Sequence, residues 1–420
     1  MRRANVLFLL GDQHHARCLS CAGHPDVRTP NLDQIAECGI RFTNAYTNSP
    51  DCGASRLSLL SSLYPSTHGY YGQHQFPSHG ILSHFKQHGY RTAAIGRLHA
   101  DRRSYANRCC FVYDEASEYV EHLKAVGLSE GRGSGSASSI PLGHSSASVI
   151  ARQVIHFLRS EAGNVPWFVW ASFSDPARSS PAAEPFDSMY NPAALRLPPT
   201  REHEKEATRN ARLQIPEEQL RKRLSTYFGL IGQVDYAVGL ILSELRRLGQ
   251  IETTIITYTS DHGDFAGEHG LMAKDAGISY RAVTQIPLIV SLPGEESSDG
   301  SSEALAESVD LYPTLCDLVE LDPPGLVQGR SLAGIIRGRQ LSIRTSALTE
   351  SPRRKALATD KRRYVANRHS QETDELYDLS DDPWELRNII DQPGSARVAK
   401  AVLRELLKRL IEARQPLTTE

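Results

Sequence analysis

The stretch Asn5-Val-Leu-Phe-Leu-Leu-Gly-Asp-Gln13 decides the fold. Its apolar run from Val6 to Leu10 is continuous rather than alternating, which is typical of a parallel strand covered on both faces. Four further short apolar runs also predict central strands: Thr92–Ile95, Trp167–Ser172, Thr254–Thr259 and Pro287–Leu292. Because helical patterns lie between these runs, the sequence predicts an α/β sandwich around a mostly parallel central sheet.

Two of the intervening helices have clear boundary signals. Thr29 offers an N-cap and Pro30 suits the first helical position, and apolar residues follow at helical spacing as far as Ile40. A longer amphipathic helix is predicted from about Glu217 to Leu248, with Gly249 ending it. Both helices would cover faces of the predicted sheet.

The remaining stretches have a different character. Leu128–Ser148 is rich in Gly and Ser and predicts a mobile surface loop, and Pro176–Lys205, with six prolines, predicts an extended segment that could wall a pocket. From about residue 340 the pattern predicts short antiparallel strands and a helix, at Thr345–Thr349, Arg363–Asn367, Glu375–Tyr377 and Ala396–Arg414. We therefore predict a catalytic domain over residues 1–339 and a small C-terminal α+β subdomain over 340–420.

Composition excludes several classes of protein. The 420 residues include 47 basic and 49 acidic ones, a net charge of −2, which argues against a nucleic-acid binder acting through its overall charge. Since no run approaches the roughly 18 apolar residues that span a bilayer, no membrane association is predicted.

The N-terminus fails as a signal peptide because Asp12 closely follows a short apolar core, so we expect a cytoplasmic protein. Seven scattered cysteines predict no disulfide framework, and Cys18-x-x-Cys21 lacks the second half of a zinc site.

Polar clusters follow three of the predicted strands. They are Asp12-Gln13, Arg97-x-His99 and Asp261-His262, with Lys274 twelve residues after His262. Ligands of open α/β sheets bind outside the carboxyl ends of strands, and a carboxylate beside an imidazole suits a metal ion. Each cluster also has a purely structural interpretation, as a turn cap, an exposed arginine with a packed histidine, or a chance Asp-His pair.

A fourth cluster, Cys52-Gly-Ala-Ser-Arg56, precedes leucines at helical spacing. Cys52 would therefore lie near a helix N-terminus, where unpaired amides and the helix dipole favour an anion, and Arg56 would lie one turn farther on. One interpretation is a nucleophile beside an anion hole. The other is a small buried cysteine that begins a core helix.

These clusters belong to a longer series of motifs. Besides the opening stretch and Cys52-Gly-Ala-Ser-Arg56, the series contains Thr29-Pro-Asn-Leu-Asp33, Gly39-Ile-Arg-Phe-Thr-Asn-Ala-Tyr46, Thr67-His-Gly69, Ser260-Asp-His-Gly-Asp264, Gly267-Glu-His-Gly270, Glu375-Leu-Tyr-Asp-Leu379 and Asp382-Pro383. In order and spacing, from residue 5 to about 390, it resembles the type I sulfatases of the alkaline phosphatase superfamily. Asp12-Gln13 with Asp261-His262 is closer to the branch of choline-sulfatase-like enzymes and phosphonate monoester hydrolases.

The resemblance implies an alkaline-phosphatase-like fold and a modified nucleophile. A formylglycine-generating enzyme would oxidise Cys52 to formylglycine, whose aldehyde hydrates to a gem-diol. One hydroxyl attacks sulfur, or phosphorus, and displaces the alcohol, and the second then expels the sulfate. The substrate would be a small-molecule or saccharide sulfate ester.

The resemblance also implies roles for the other site residues. The ligands of a divalent cation would be Asp12, Gln13, formylglycine 52, Asp261 and His262. Ca²⁺ is the first expectation, with Mn²⁺ and Mg²⁺ as alternatives. Arg56 would orient the diol and Lys274 would bind the ester oxygens, while His99 would act as acid or base or hold an ester oxygen.

Two positions depart from the family pattern. Arg97 stands where related enzymes usually have lysine, and Ala177, after Pro176, stands where they usually have the histidine that protonates the leaving group. Two alternatives therefore remain beside a sulfatase. One is a phosphonate monoester or phosphodiester hydrolase on the same scaffold, and the other is a catalytically weakened relative that binds sulfated ligands.

Overall fold

The computed structural model describes residues 3–69, 80–99, 102–129, 140–178, 180–200, 215–274, 279–294, 300–368 and 373–414. These residues form twelve β-strands and twelve α-helices. The strands are β1 (Asn5–Asp12), β2 (Gly39–Tyr46), β3 (Arg91–Gly96), β4 (Phe111–Asp114), β5 (Trp167–Pro176), β6 (Thr254–Ser260), β7 (Leu288–Ser291), β8 (Ser301–Glu307), β9 (Ala347–Glu350), β10 (Arg354–Ala358), β11 (Arg362–Asn367) and β12 (Glu375–Asp378). The helices are α1 (Pro30–Glu37), α2 (Cys52–Ser61), α3 (Pro65–His68), α4 (Ile81–Gln87), α5 (Arg102–Ala106), α6 (Glu115–Ala125), α7 (Ser146–His156), α8 (Glu217–Arg247), α9 (Arg281–Thr284), α10 (Leu311–Leu318), α11 (Ala333–Ile336) and α12 (Ser395–Glu412).

Eight strands form the main sheet in the order β4-β3-β5-β1-β6-β7-β2-β8. All neighbouring pairs are parallel except β6–β7 and β7–β2, which are antiparallel because β7 runs against the rest. The α/β class and the mostly parallel sheet are therefore confirmed. β1 lies at the centre, between β5 and β6.

Both faces of this sheet are buried, which explains the continuous apolar character of β1. Phe8 belongs to the core on one face, beneath α2, α4 and α10, whereas Leu7 and Leu9 belong to the core on the other, beneath α1, α7 and α8. By length and composition α8 could cross a membrane, but 78% of its apolar window is buried inside the protein, as in a core helix.

A second sheet, antiparallel and four-stranded, has the order β12-β11-β10-β9, and α12 packs on it. A buried ionic network joins α12 to the main sheet, since Arg409 bonds to Glu307 at 2.8 Å and to the hydroxyl of Tyr64 at 2.7 Å. The small antiparallel sheet near the C-terminus is confirmed. The division at residue 339/340 stays a prediction.

Several predicted boundaries are wrong. Leu128–Ser148 is not loop throughout, because α7 begins at Ser146, where the Ser145 hydroxyl accepts from the amide of Ser148; residues 130–139 lie outside the described residues. Ile40 is not on a helix, because α1 ends at Glu37 and Ile40 belongs to β2. In the extended segment after Pro176, residues 179 and 201–205 also lie outside the described residues.

The N-terminus of α1 is capped differently from the prediction. The Thr29 side chain makes no capping bond. Instead the buried carboxylate of Asp235, on α8, accepts from the amides of Asn31 at 3.0 Å and Leu32 at 2.8 Å. A carboxylate there satisfies orphan amides and complements the helix dipole, so α8 and α1 are held together by a charge-assisted cap.

Candidate active site

Two buried aspartates lie side by side at the carboxyl edge of the main sheet. Asp12 ends β1 and Asp261 directly follows β6, and Gly11 pairs with Ser260 in the register of these parallel neighbours. The pairing brings residues 249 positions apart to the same edge of the sheet. The Asp261 Oδ1 accepts from the amide of Gln13 at 3.0 Å. This bond fixes the carboxyl ends of β1 and β6 relative to each other.

Arg56 lies between the two carboxylates. Its Nε donates to Asp261 at 2.9 Å and its Nη2 to Asp12 at 3.2 Å, while its Nη1 donates to Ser172 Oγ at 2.6 Å. Burial alone would raise the pKa of Asp12, but the hydrogen bond with His99 and the charge of Arg56 hold this pKa well below its usual range. Asp12 is therefore anionic, and the buried guanidinium of Arg56 bridges Asp12 and Asp261.

Cys52 is the first residue of α2 and lies beside Asp12 and Asp261. Asp51 caps the helix by accepting from the amide of Ala54 at 3.0 Å, so the first turn presents Cys52 at the helix N-terminus. The Cys52 Sγ lies 3.2 Å from His262 Nε2 and 2.8 Å from Lys274 Nζ. A thiol between an ammonium group and an imidazole, at the positive end of a helix, is well placed to carry an anionic reacting group.

The hydrogen bonds of His262 define its tautomer. Its Nδ1 donates to the carbonyl of Gly263 at 2.8 Å, so its Nε2 faces Cys52 Sγ, at 3.2 Å, and Lys274 Nζ, at 2.8 Å. Burial lowers the pKa of His262, but the adjacent Asp261 outweighs it and raises the pKa to about 9. The same field that favours a proton on Nε2 also favours a metal cation there.

Asp264, to which the sequence interpretation assigned no role, holds the loop that carries Lys274. Its Oδ1 accepts from the amides of Ala266 at 2.7 Å and Ala273 at 3.0 Å, and its Oδ2 accepts from the side-chain amide of Gln13. Asp264 thereby anchors Lys274 and leaves the amide oxygen of Gln13 as the atom available to a cation.

The segment after β3 supplies the outer side of the site. Gly96 has a φ of +104° and a Cβ there would lie 1.9 Å from the carbonyl oxygen of Ser172, so glycine alone fits. The segment is not fully extended beyond Gly96, because His99 has a φ of +54°. The Arg97 Nε and the His99 Nε2 nevertheless reach Asp12 Oδ2, at 3.2 and 3.3 Å. The Arg97 side chain is 46% exposed, so it can meet a ligand arriving from solvent.

The arrangement fits a divalent cation. Ligand atoms of Asp12, Cys52, His99 and Asp261 all lie within 4.8 Å of one another. The expected set contained His262 instead of His99, and the structure brings both imidazoles to the group. Two buried carboxylates with imidazole, amide and a helix-terminal residue form a donor set suited to Ca²⁺, Mg²⁺ or Mn²⁺. The residues predicted for the site thus converge on one point, with Arg56 and Lys274 beside it.

Comparisons with known proteins agree with this geometry. The sulfatase family profile matches residues 4–321, and the profile of the N-sulphoglucosamine sulphohydrolase C-terminal region matches residues 267–414. An arylsulfatase of Clostridium perfringens is 27% identical over 98% of this chain and 95% of its own length.

Solved structures show the same fold. A phosphonate monoester hydrolase from Silicibacter pomeroyi superposes with a TM-score of 0.85 at 23% identity, covering 99% of this chain and 97% of that one. A structure solved with its substrate D-glucosamine-2-N,6-O-disulfate superposes with a TM-score of 0.79 at 21% identity, and both chains are covered completely. With the family profile spanning most of the chain, this protein belongs to the type I sulfatases of the alkaline phosphatase superfamily and is a sulfatase enzyme.

Proposed function

We propose that the protein hydrolyses a sulfate ester with formylglycine, made from Cys52, as its nucleophile, beside a bound divalent cation. The observation that carries the proposal is the gathering of the Cys52 thiol with Asp12 and Asp261, all with ligand atoms within 4.8 Å of one another, at the start of a helix. No purely structural requirement explains a cysteine held against Lys274 at 2.8 Å in such a group.

In this proposal Asp12, Gln13, Asp261 and His262 hold the cation together with residue 52. The cation supplies positive charge that lowers the pKa of the nucleophile and draws electrons from the ester oxygens. Ca²⁺ is our first assignment because type I sulfatases usually carry it. The oxygen donors suit Mg²⁺ as well, and the imidazole keeps Mn²⁺ as a further alternative.

The chain's own residues position both reactants. The hydrated residue 52 forms a bond from one hydroxyl oxygen to sulfur as the bond from sulfur to the alcohol oxygen breaks. The second hydroxyl then gives up its proton and restores the aldehyde as sulfate leaves. Arg56 orients residue 52 through Asp261 and Asp12, while Lys274 and Arg97 face the ester oxygens. Since Ala177 has no proton to give, Lys274 and His99 are the nearby proton carriers for the leaving alcohol.

A sugar sulfate is the substrate class that the relatives favour. The neighbour solved with D-glucosamine-2-N,6-O-disulfate matches over both full chains, and an N-acetylglucosamine-6-O-sulfatase of Bacteroides thetaiotaomicron is 24% identical over 99% of this chain. The half-exposed Arg97 suits an anionic saccharide.

Phosphonate monoester hydrolysis is the second candidate. The observation that favours it is the Asp261-His262 pair. At position 262 an imidazole Nε2, rather than a side-chain amide, faces residue 52, the reacting residue. A multifunctional alkaline phosphatase superfamily protein of Trinickia caryophylli, 26% identical over 79% of this chain, is consistent with it.

Paired substrates test the proposal. Purified protein with mature residue 52 is assayed on an aryl sulfate and on the matching aryl phosphonate monoester, alongside Cys52→Ala and, as a matched control, Cys110→Ala, which removes an exposed thiol. We expect faster turnover of the sulfate and a loss of about three orders of magnitude or more in Cys52→Ala only. Faster turnover of the phosphonate would favour the second candidate. If mature protein turns over neither aryl ester nor a 6-O-sulfated amino sugar, both candidates are contradicted and a relative that only binds is indicated.

A further inference from the structure

A cavity of about 250 Å³ lies apart from the residues assigned to catalysis. Its wall combines the loop after Gln13, the first half of β2 and the segment that leads from α9 into β7. None of the residues proposed for catalysis or cation binding is among those that line it. Since one water needs about 10–15 Å³ of such space, the cavity has room for a tetrahedral oxyanion and several waters.

Three arginines from separate parts of the chain line this cavity: Arg17, Arg41 and Arg281. Among the described residues no carboxylate is part of its lining. The neutral polar groups of the wall are already engaged, since Gln285 Nε2 donates to the carbonyl of Thr43 and the Thr43 hydroxyl donates to the carbonyl of Ser302. The donors left for a ligand therefore belong to guanidinium groups.

Two acids lie near these arginines, and each has a second partner. Glu268 pairs with Arg17 at 3.7 Å and with His15 at 2.9 Å, and Glu385 bonds to Arg363 at 2.8 Å and accepts from the backbone amide of Arg281. Burial lowers the pKa of Arg17, and the nearby charge of Arg281 lowers it further, against the opposing charges of Glu268 and Glu385. Arg17 and Arg281 thus lie close together and share their acidic neighbours with other residues.

Two of the guanidinium groups keep unused hydrogen-bonding capacity. The buried Nε of Arg281 has no partner among the described residues, although its Nη2 donates to Asn44 at 3.2 Å. The structure shows no side-chain hydrogen bond for Arg41 within the described part of the chain. A buried N–H without an acceptor destabilises the protein, so a ligand that supplies acceptors would recover the missing hydrogen bond.

We propose that this cavity is a second anion-binding site, which takes a tetrahedral oxyanion of the sulfate class. The planar forks of Arg41 and Arg281 match the paired oxygens of such a group. Arg17, whose Nη2 donates to the carbonyl of Pro383 at 2.8 Å, adds a third positive charge to the wall. The anion comes either as free inorganic sulfate or as a further sulfate group of a polysulfated sugar.

The test measures binding rather than turnover, so its outcome does not depend on the proposed catalysis. Inorganic sulfate is titrated calorimetrically into Cys52→Ala protein. The same titration is repeated on this protein with a second substitution, either Arg41→Gln or Arg41→Lys. The matched control is Arg397→Gln, which removes an exposed charge on α12. We expect one of two sulfate-binding events to weaken about tenfold or more in Arg41→Gln, less in Arg41→Lys and not at all in Arg397→Gln. Equal isotherms for Arg41→Gln and Arg397→Gln would overturn the proposal.

Two further measurements locate the site and identify the source of the anion. Crystals grown with selenate should show an anomalous peak among the three arginines, and a peak confined to residue 52 would overturn the proposal. If the anion is part of the substrate, Arg41→Gln weakens binding of a disulfated amino sugar but not of a monosulfated one. If it is the free ion, the two sugars respond equally to the substitution.

Discussion

Arg56 offers a test of whether the two buried aspartates face a common cation. Arg56→Met keeps most of the side-chain volume but removes the charge that separates Asp12 from Asp261. Breaking a buried ion pair by removing one partner costs about 3–5 kcal/mol, because the other charge is left uncompensated. Here two carboxylates are left, together with the unpaired hydroxyl of Ser172. We expect the free energy of unfolding in excess chelator to fall by at least this amount.

Added metal should restore part of the loss. A divalent cation between the carboxylates should stabilise both proteins, by about 4 kcal/mol at a thousand times its dissociation constant. Because it replaces the missing charge in Arg56→Met, it should bind this variant more tightly than wild type, and each tenfold gain in affinity narrows the difference by about 1.4 kcal/mol. Urea unfolding is therefore measured for wild type and Arg56→Met, in chelator and in saturating Ca²⁺ or Mn²⁺. The difference in the free energy of unfolding between the two proteins should shrink by about 1.4 kcal/mol or more when metal is present.

Arg363→Met is the matched control. Arg363 is equally buried and bonds to Glu385 at 2.8 Å, away from the site, so its substitution should destabilise the protein to a similar extent without any rescue by metal. If metal stabilises neither wild type nor Arg56→Met, Asp12 and Asp261 do not hold a cation and the reasoning is refuted.

Three further substitutions separate the roles of neighbouring residues. Asp261→Asn should weaken metal binding and turnover together, which metal analysis and sulfatase rates can show; full metal content with unchanged turnover would contradict the assigned site. Arg97→Lys keeps the charge of a half-exposed side chain, so the melting temperature should stay unchanged and turnover should persist, whereas loss of turnover in folded protein would assign Arg97 a dedicated geometric role. Asp235→Ala removes the cap of α1 and should lower the free energy of unfolding by about 2–4 kcal/mol in urea unfolding, with Glu37→Ala, which removes an exposed acid of the same helix, as the comparison; equal losses would contradict the cap.

The central sheet was predictable because its strands are buried on both faces. All five predicted apolar runs are strands, β1, β3, β5, β6 and β7, and continuous hydrophobicity is the signal that such strands leave in a sequence. The antiparallel direction of β7 was not predictable, because an apolar run carries no information about its direction. β2 was missed because Arg41, Thr43 and Asn44 interrupt its apolar pattern.

The convergence of the candidate residues was predictable where they follow strand ends or open a helix, whereas their roles stay predictions. The positions of Asp12, Cys52, Asp261 and His262 could be named from motif order, and they do meet. The supporting contacts could not be foreseen, because each joins parts of the chain that one sequence does not connect. Asp264 holds Gln13 across 251 residues, and Ser172 bonds to Arg56 across 116.

The most direct test of the account is the mass of the tryptic peptide 42–56, taken from protein purified from its native host and active on a sulfate ester. The account predicts that residue 52 in this peptide has the mass of the aldehyde, captured as an adduct by an aldehyde-specific reagent. Active protein whose peptide contains only an unmodified Cys52 thiol would contradict it.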